Sequence, residues 1–129
     1  MSRKTFLTIS AAIAMTVGAV ALFAPAVLLE SKGVAPSAAA SVWMREVGIA
    51  ILAVGVASFL VRGHPDSPTL RAFLVGNAVL QIGIFPIEIA AYSAGTITKA
   101  SGIVPNEILH VLLAVGFLTY AASIRAKEA

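Results

Sequence analysis

The chain has 129 residues, of which 59% are hydrophobic and 12% charged, and it carries a net charge of +3. A soluble domain carries roughly 25% charged residues, so these charges are too few to cover a water-facing surface, and lipid is the expected solvent. There is no cysteine, which excludes disulfides, thiolate metal sites and thiol redox chemistry, and no basic patch interleaved with aromatics points to nucleic acid.

Four apolar runs are expected to form helices, at 6–29, 41–61, 70–95 and 103–124. Each supplies the roughly 20 residues that cross a hydrocarbon core about 30 Å thick. The first begins with Arg3 and Lys4 and closes on Ala24-Pro25-Ala26, the outline of a secretory signal peptide. Its apolar stretch exceeds the 7–15 residues of a signal core, so a retained helix is expected. The breaks "ESKGVAPS", "RGHPDSP" and "AGTITKASG" are short and rich in turn formers. Consecutive helices should therefore run antiparallel, and the expected fold is all-α: one integral membrane domain, an up-down-up-down four-helix bundle.

Lys and Arg set the expected orientation. Arg3, Lys4, Arg62, Arg71, Arg125 and Lys127 fall on one side, Lys32 and Lys99 on the other, and Arg45 within the second span. The positive-inside rule puts both termini in the cytoplasm. Trp43 and Tyr120 read as interfacial anchors.

This topology gives depths to the polar residues. Arg45 and Glu46 on the second span, Glu88 on the third, and Glu107 and His110 on the fourth are expected to share the outer third of the membrane. On the third span, Asn77, Gln81, Glu88 and Tyr92 fall within about 60° of one another at 100° per residue. On the fourth, Glu107 and His110 are i, i+3 neighbours. The stripes should face inward, because a charge facing lipid costs about 2.5–3.5 kcal/mol even on the lenient scale. The expected polar cluster is therefore Arg45, Glu46, Gln81, Glu88, Glu107 and His110, with Arg45 or His110 meeting Glu88. Pro86 should kink the third helix beside Glu88 and open a small polar cavity to the outside. The plainer alternative is a buried ion-pair network that fixes helix register, with Glu107 serving the helix dipole. The ligand types suit a divalent metal, but Glu107-x-x-His110 occurs once where di-iron bundles use the motif twice, so no metal is expected. The sole Asp, Asp66, lies in a loop far from His110 and completes no Ser-His-Asp triad. No catalytic residue is read.

"LFAPAVLL" closing the first span, "WMREVGIAILAVG" opening the second, "RAFLVGNAVLQ" in the third and "ILHVLLAVGFLTYA" in the fourth together resemble the DoxX-like superfamily of small bacterial four-helix membrane proteins. The resemblance covers nearly the whole chain. It implies a bacterial inner-membrane protein, and some relatives are membrane subunits of quinone-reducing oxidoreductases. It carries over no catalytic residue. Three functions stay open: a non-catalytic subunit or binder of a small amphipathic molecule, a redox subunit in which His110 and a carboxylate hydrogen-bond a quinone, and a proton-coupled transporter working through Glu88 as a homo-oligomer. The expected partners are the bilayer, a membrane or redox partner subunit, or further copies of the chain.

Overall fold

The computed structural model describes residues 1–124; Arg125 and Lys127 lie outside them. Among the described residues five helices form: α1 (Arg3–Phe23), α2 (Pro25–Ser31), α3 (Ala38–Val61), α4 (Pro68–Ser93) and α5 (Ala100–Ser123). All but α2 are long and apolar enough to cross a membrane. Serines start three of them. Ser2, Ser37 and Ser67 each accept the backbone N–H three residues on, at 3.1 Å, which satisfies one orphan donor of the first turn.

The first apolar run is not one helix, as its hydropathy suggests. It breaks at Ala24, where φ is −134° and ψ is 56°. Pro25 explains the break: its ring disfavours helical backbone in the preceding residue, yet suits the first position of the next helix. Helix α4 continues through Pro86 and α5 through Pro105. Helix α5, the fourth span, starts at Ala100, three residues before the apolar run.

Contacts between loops show that the spans alternate in direction. Arg3, at the start of α1, pairs with Asp66 between α3 and α4. At the other end, Thr98 N–H and Lys99 N–H both donate to the carbonyl of Lys32, at 3.1 Å each. The molecule thus has an Arg3 end and a Lys32 end. Arg62 and Arg71 belong to the first, and Lys32 and Lys99 to the second.

The helices pack as two pairs, α1 on α3 and α4 on α5. The α1–α3 seam is built on glycine. A Cβ on Gly18 would lie 2.7 Å from the Leu52 nitrogen, and one on Gly48 would lie 2.7 Å from the Leu22 nitrogen. Only hydrogen fits there, so the two backbones touch, as small residues permit between membrane helices.

The pairs are joined by an apolar plug at the Arg3 end: Phe6, Leu7, Leu70, Leu74, Ala78, Phe117, Ala121 and Ile124. Phe6 and Phe117 meet edge-to-face at 5.0 Å, a favoured aromatic geometry. Tyr120 stacks beside Phe6 and donates its hydroxyl to the Met1 carbonyl at 2.6 Å, so it is a packing residue as well as an amphipathic one. Trp43 is 66% exposed. Many aliphatics along the spans are as exposed, among them Leu60, Val79, Ile87 and Leu112. A water-soluble monomer rarely shows so much contiguous apolar surface; a bilayer covers it. The chain is a small multi-pass membrane protein.

Candidate functional site

The two helix pairs diverge from the plug and leave room between them. At the Lys32 end this room is closed by a chain of polar side chains. Its first link is Lys32, at the end of α2. Gly33 follows with φ +73°, and a Cβ there would lie 2.2 Å from Thr98 Oγ1. Glycine lets the chain turn and lets the α4–α5 loop dock, with Thr98 Oγ1 donating to the Gly33 carbonyl at 2.9 Å. The docked loop holds the Lys32 backbone, and the Lys32 ammonium reaches the Glu88 carboxylate. Both side chains are largely buried, at 20% and 15% exposure.

The second link is Asn106. Its amide nitrogen donates to Glu88 Oε2 at 2.7 Å and lies 3.0 Å from His110 Nε2. The third is His110, whose Nδ1 lies 2.5 Å from Gln81 Oε1. Donor logic fixes the imidazole. An amide nitrogen carries only donors, so His110 Nε2 accepts from Asn106. Nδ1 then bears the ring proton and donates to the Gln81 carbonyl. The ring sits neutral in one tautomer, set two residues away by the carboxylate that orients Asn106. This is the outer-partner logic that fixes histidine tautomers generally.

Beyond this chain lies a cavity of about 80 Å³ in the middle of the bundle. Its polar lining is Ser10, Ser58, Asn77, Gln81, Asn106 and His110; the rest is aliphatic, with Phe117 at the plug. Two of the polar groups are already tied to their own helices: Ser10 to the Leu7 carbonyl at 3.2 Å and Asn77 to the Phe73 carbonyl at 3.0 Å. A cavity holds water once it has about 10–15 Å³ per molecule and two to four polar partners. This one takes a few waters or a small polar head group.

Four of the six expected residues come together: Gln81, Glu88 and His110 in the bonded chain, and Glu107 beside Asn106 on the same turn of α5. Glu107 is 7% exposed, and neither carboxyl oxygen has a hydrogen-bond partner among the described residues. It lies in the second turn of α5, which begins at Ala100, so it is not the first-turn carboxylate of the dipole reading. Arg45 and Glu46 do not join. Both are exposed, and Glu88 takes Lys32 instead. Arg45 shares a helical face with Gly48 at helical spacing, but that face meets a different neighbour. Gly48 and Gly55 press on α1, not on α4 or α5. Arg45, about one turn beyond Gly48, comes level with the break at Ala24, where α1 has ended. Tyr92 is likewise exposed.

The cavity is also deeper than expected. Glu88 does not line it, because Lys32 and Asn106 fill the space beside Glu88. Lys32 and Asn106 were missed. Lys32 stands with Lys99 as the cations of the loops at that end, among the described residues. Asn106 stands i, i+4 from His110, a spacing that was its signal. Among the described residues, no three His, Asp or Glu side chains gather where one metal ion would reach them.

No family model, curated protein or solved structure matches this chain.

Proposed function

We propose that this membrane protein is a non-catalytic binder of a small amphipathic molecule, whose polar head occupies the mid-bundle cavity against His110 and Gln81. The observation that carries this reading is the oriented Nδ1–H of His110. It is a neutral donor held in one direction by a half-buried chain of bonds, at the edge of a cavity otherwise lined mostly by hydrocarbon. Pockets for small molecules combine these two features: apolar walls and a few placed polar groups. The resemblance of the four motif stretches to the DoxX-like superfamily supports a bacterial inner-membrane location. The Lys and Arg distribution supports cytoplasmic termini.

A second reading is favoured by the same donor. A quinone carbonyl is an acceptor of suitable size for the His110 Nδ1–H, so membership in a redox complex remains a reading of this site. The transporter reading loses its free carboxylate at position 88, since Glu88 is engaged by Lys32 and Asn106.

The test is retention. Protein purified in mild detergent is denatured and extracted with organic solvent, and the extract is analysed by mass spectrometry. A small amphiphile should accompany the wild type and be lost from Ala14→Phe, which fills the cavity from α1. An identical extract from both, with Ala14→Phe folded, would contradict the proposal.

A further inference from the structure

A second hollow lies on the outside of the α4–α5 pair. It is a groove of about 310 Å³, lined by Ile82, Phe85, Val111, Ala114, Val115 and Leu118, together with Gln81 and His110. Gln81 and His110 also line the inner cavity. They are the residues common to both spaces. The hydrogen bond between them is thus a partition, with the cavity on one side and the groove on the other.

Depth decides what reaches that partition. His110 lies ten residues into α5 and Gln81 twelve residues before the end of α4, or about 15–18 Å along each helix at 1.5 Å per residue. That is close to the middle of a hydrocarbon core about 30 Å thick. A phospholipid keeps its charged head at the interface and cannot deliver it there. A neutral molecule dissolved in the hydrocarbon can.

Size decides how it would lie. An engineered cavity of about 150 Å³ admits benzene. The groove exceeds this and accepts a hydrocarbon chain; the inner cavity falls short and accepts only a small head. The partition offers that head a donor, His110 Nδ1–H, and an acceptor, Gln81 Oε1, once their mutual bond opens.

We propose that Gln81 and His110 form a lateral entrance from the bilayer. The chain of a neutral, single-chain amphiphile with a hydroxyl or carbonyl head lies in the α4–α5 groove, and the head inserts between the two side chains into the inner cavity. This rests on the binding reading above and adds to it the route, the chain site and the exclusion of charged heads. The route from the Lys32 end is closed by Lys32, Glu88 and Asn106.

The experiment uses the full chain in phosphatidylcholine vesicles with dodecanol bearing a diazirine on its chain. After photolysis, labelled residues are mapped by mass spectrometry. The expected labels are on Ile82, Phe85, Val111, Val115 and Leu118, and excess unlabelled dodecanol removes them. Val115→Trp occupies the groove from an already exposed position, so the fold is kept. It should cut the competed labelling by about tenfold, the effect of excluding about two methylenes. Gln81→Leu should also weaken it. Diazirine-bearing phosphatidylcholine should give no label that dodecanol competes away. Competed labels confined to inner-cavity residues such as Ile13 and Val54, and indifferent to Val115→Trp, would overturn the lateral entrance and leave the binding reading standing. No competed label anywhere in folded protein would overturn both.

Discussion

The ammonium of Lys32 is hydrogen-bonded to the carboxylate of Glu88, 56 positions further along the chain. This contact ties the break after α2 to the last turns of α4. It also anchors the chain of bonds that orients His110.

Removing one member of a largely buried ion pair leaves the other without its partner, a loss of about 3–5 kcal/mol when burial is complete. Here each side chain keeps some exposure, and Asn106 still serves Glu88. Lys32→Ala is therefore expected to destabilise the protein by about 2 kcal/mol. Glu88→Gln should cost less, because it keeps an acceptor for Asn106. Thermal unfolding of both single variants and the double variant in detergent gives the coupling. Strictly additive losses would show that the pair does not act as a unit.

Arg45 should matter little. It is exposed and takes part in no ion pair or side-chain hydrogen bond among the described residues. Arg45→Ala is expected to change stability by no more than about 0.5 kcal/mol, the usual range for surface positions. A loss comparable to that of Lys32→Ala would move the cation partner of Glu88 back to α3.

The α1–α3 seam predicts a contrast between glycines. Gly48→Val forces a side chain onto the Leu22 nitrogen and the Gly18 carbonyl, at 2.7 and 2.9 Å from the Cβ alone. Backbone cannot give way as a flexible side chain does, so a loss of about 3 kcal/mol or misfolding is expected. At Gly76 nothing lies within 4 Å of an added Cβ. Gly76→Ala should be neutral or stabilise by up to about 1 kcal/mol, through reduced freedom of the unfolded chain. Equal effects at both sites, read as melting temperature and detergent-resistant yield, would contradict the seam.

Orientation in the membrane is tested separately. Reporters fused after Ala129 and within residues 95–102 should report cytoplasm and exterior respectively, as the six-to-two Lys and Arg distribution expects. The reverse pattern would invert the bundle but leave its internal contacts unchanged.

The spans were legible because lipid imposes a length and a hydropathy that the chain must display. The stop at Ala24 was not read, because a continuous run of hydrophobic residues hid the signal of Pro25. What the sequence could not show was which helices pair. A helical wheel places Arg45 and Gly48 on one face without saying what that face meets. Once Gly18 and Gly48 bring α1 and α3 into backbone contact, that face is spent, and Glu88 must find its cation elsewhere. Lys32 supplies it only because the α4–α5 loop docks on Gly33, a tertiary contact with no local signature. Gln81, Glu88 and His110 were legible as polar residues on apolar helices, a rarity that marks them in any membrane protein.

What the cavity offers a ligand turns on one proton, the Nδ1–H of His110. Nitrogen-15 NMR of histidine-labelled protein in nanodiscs reads it directly, with His64→Gln assigning the second of the two histidines. The expected spectrum has Nδ1 protonated and Nε2 as the unprotonated, hydrogen-bonded nitrogen, and Asn106→Leu abolishes that fixed tautomer. A ring protonated at Nε2, or one whose tautomer ignores Asn106→Leu, would contradict the polar chain from Lys32 to Gln81 and the site built on it.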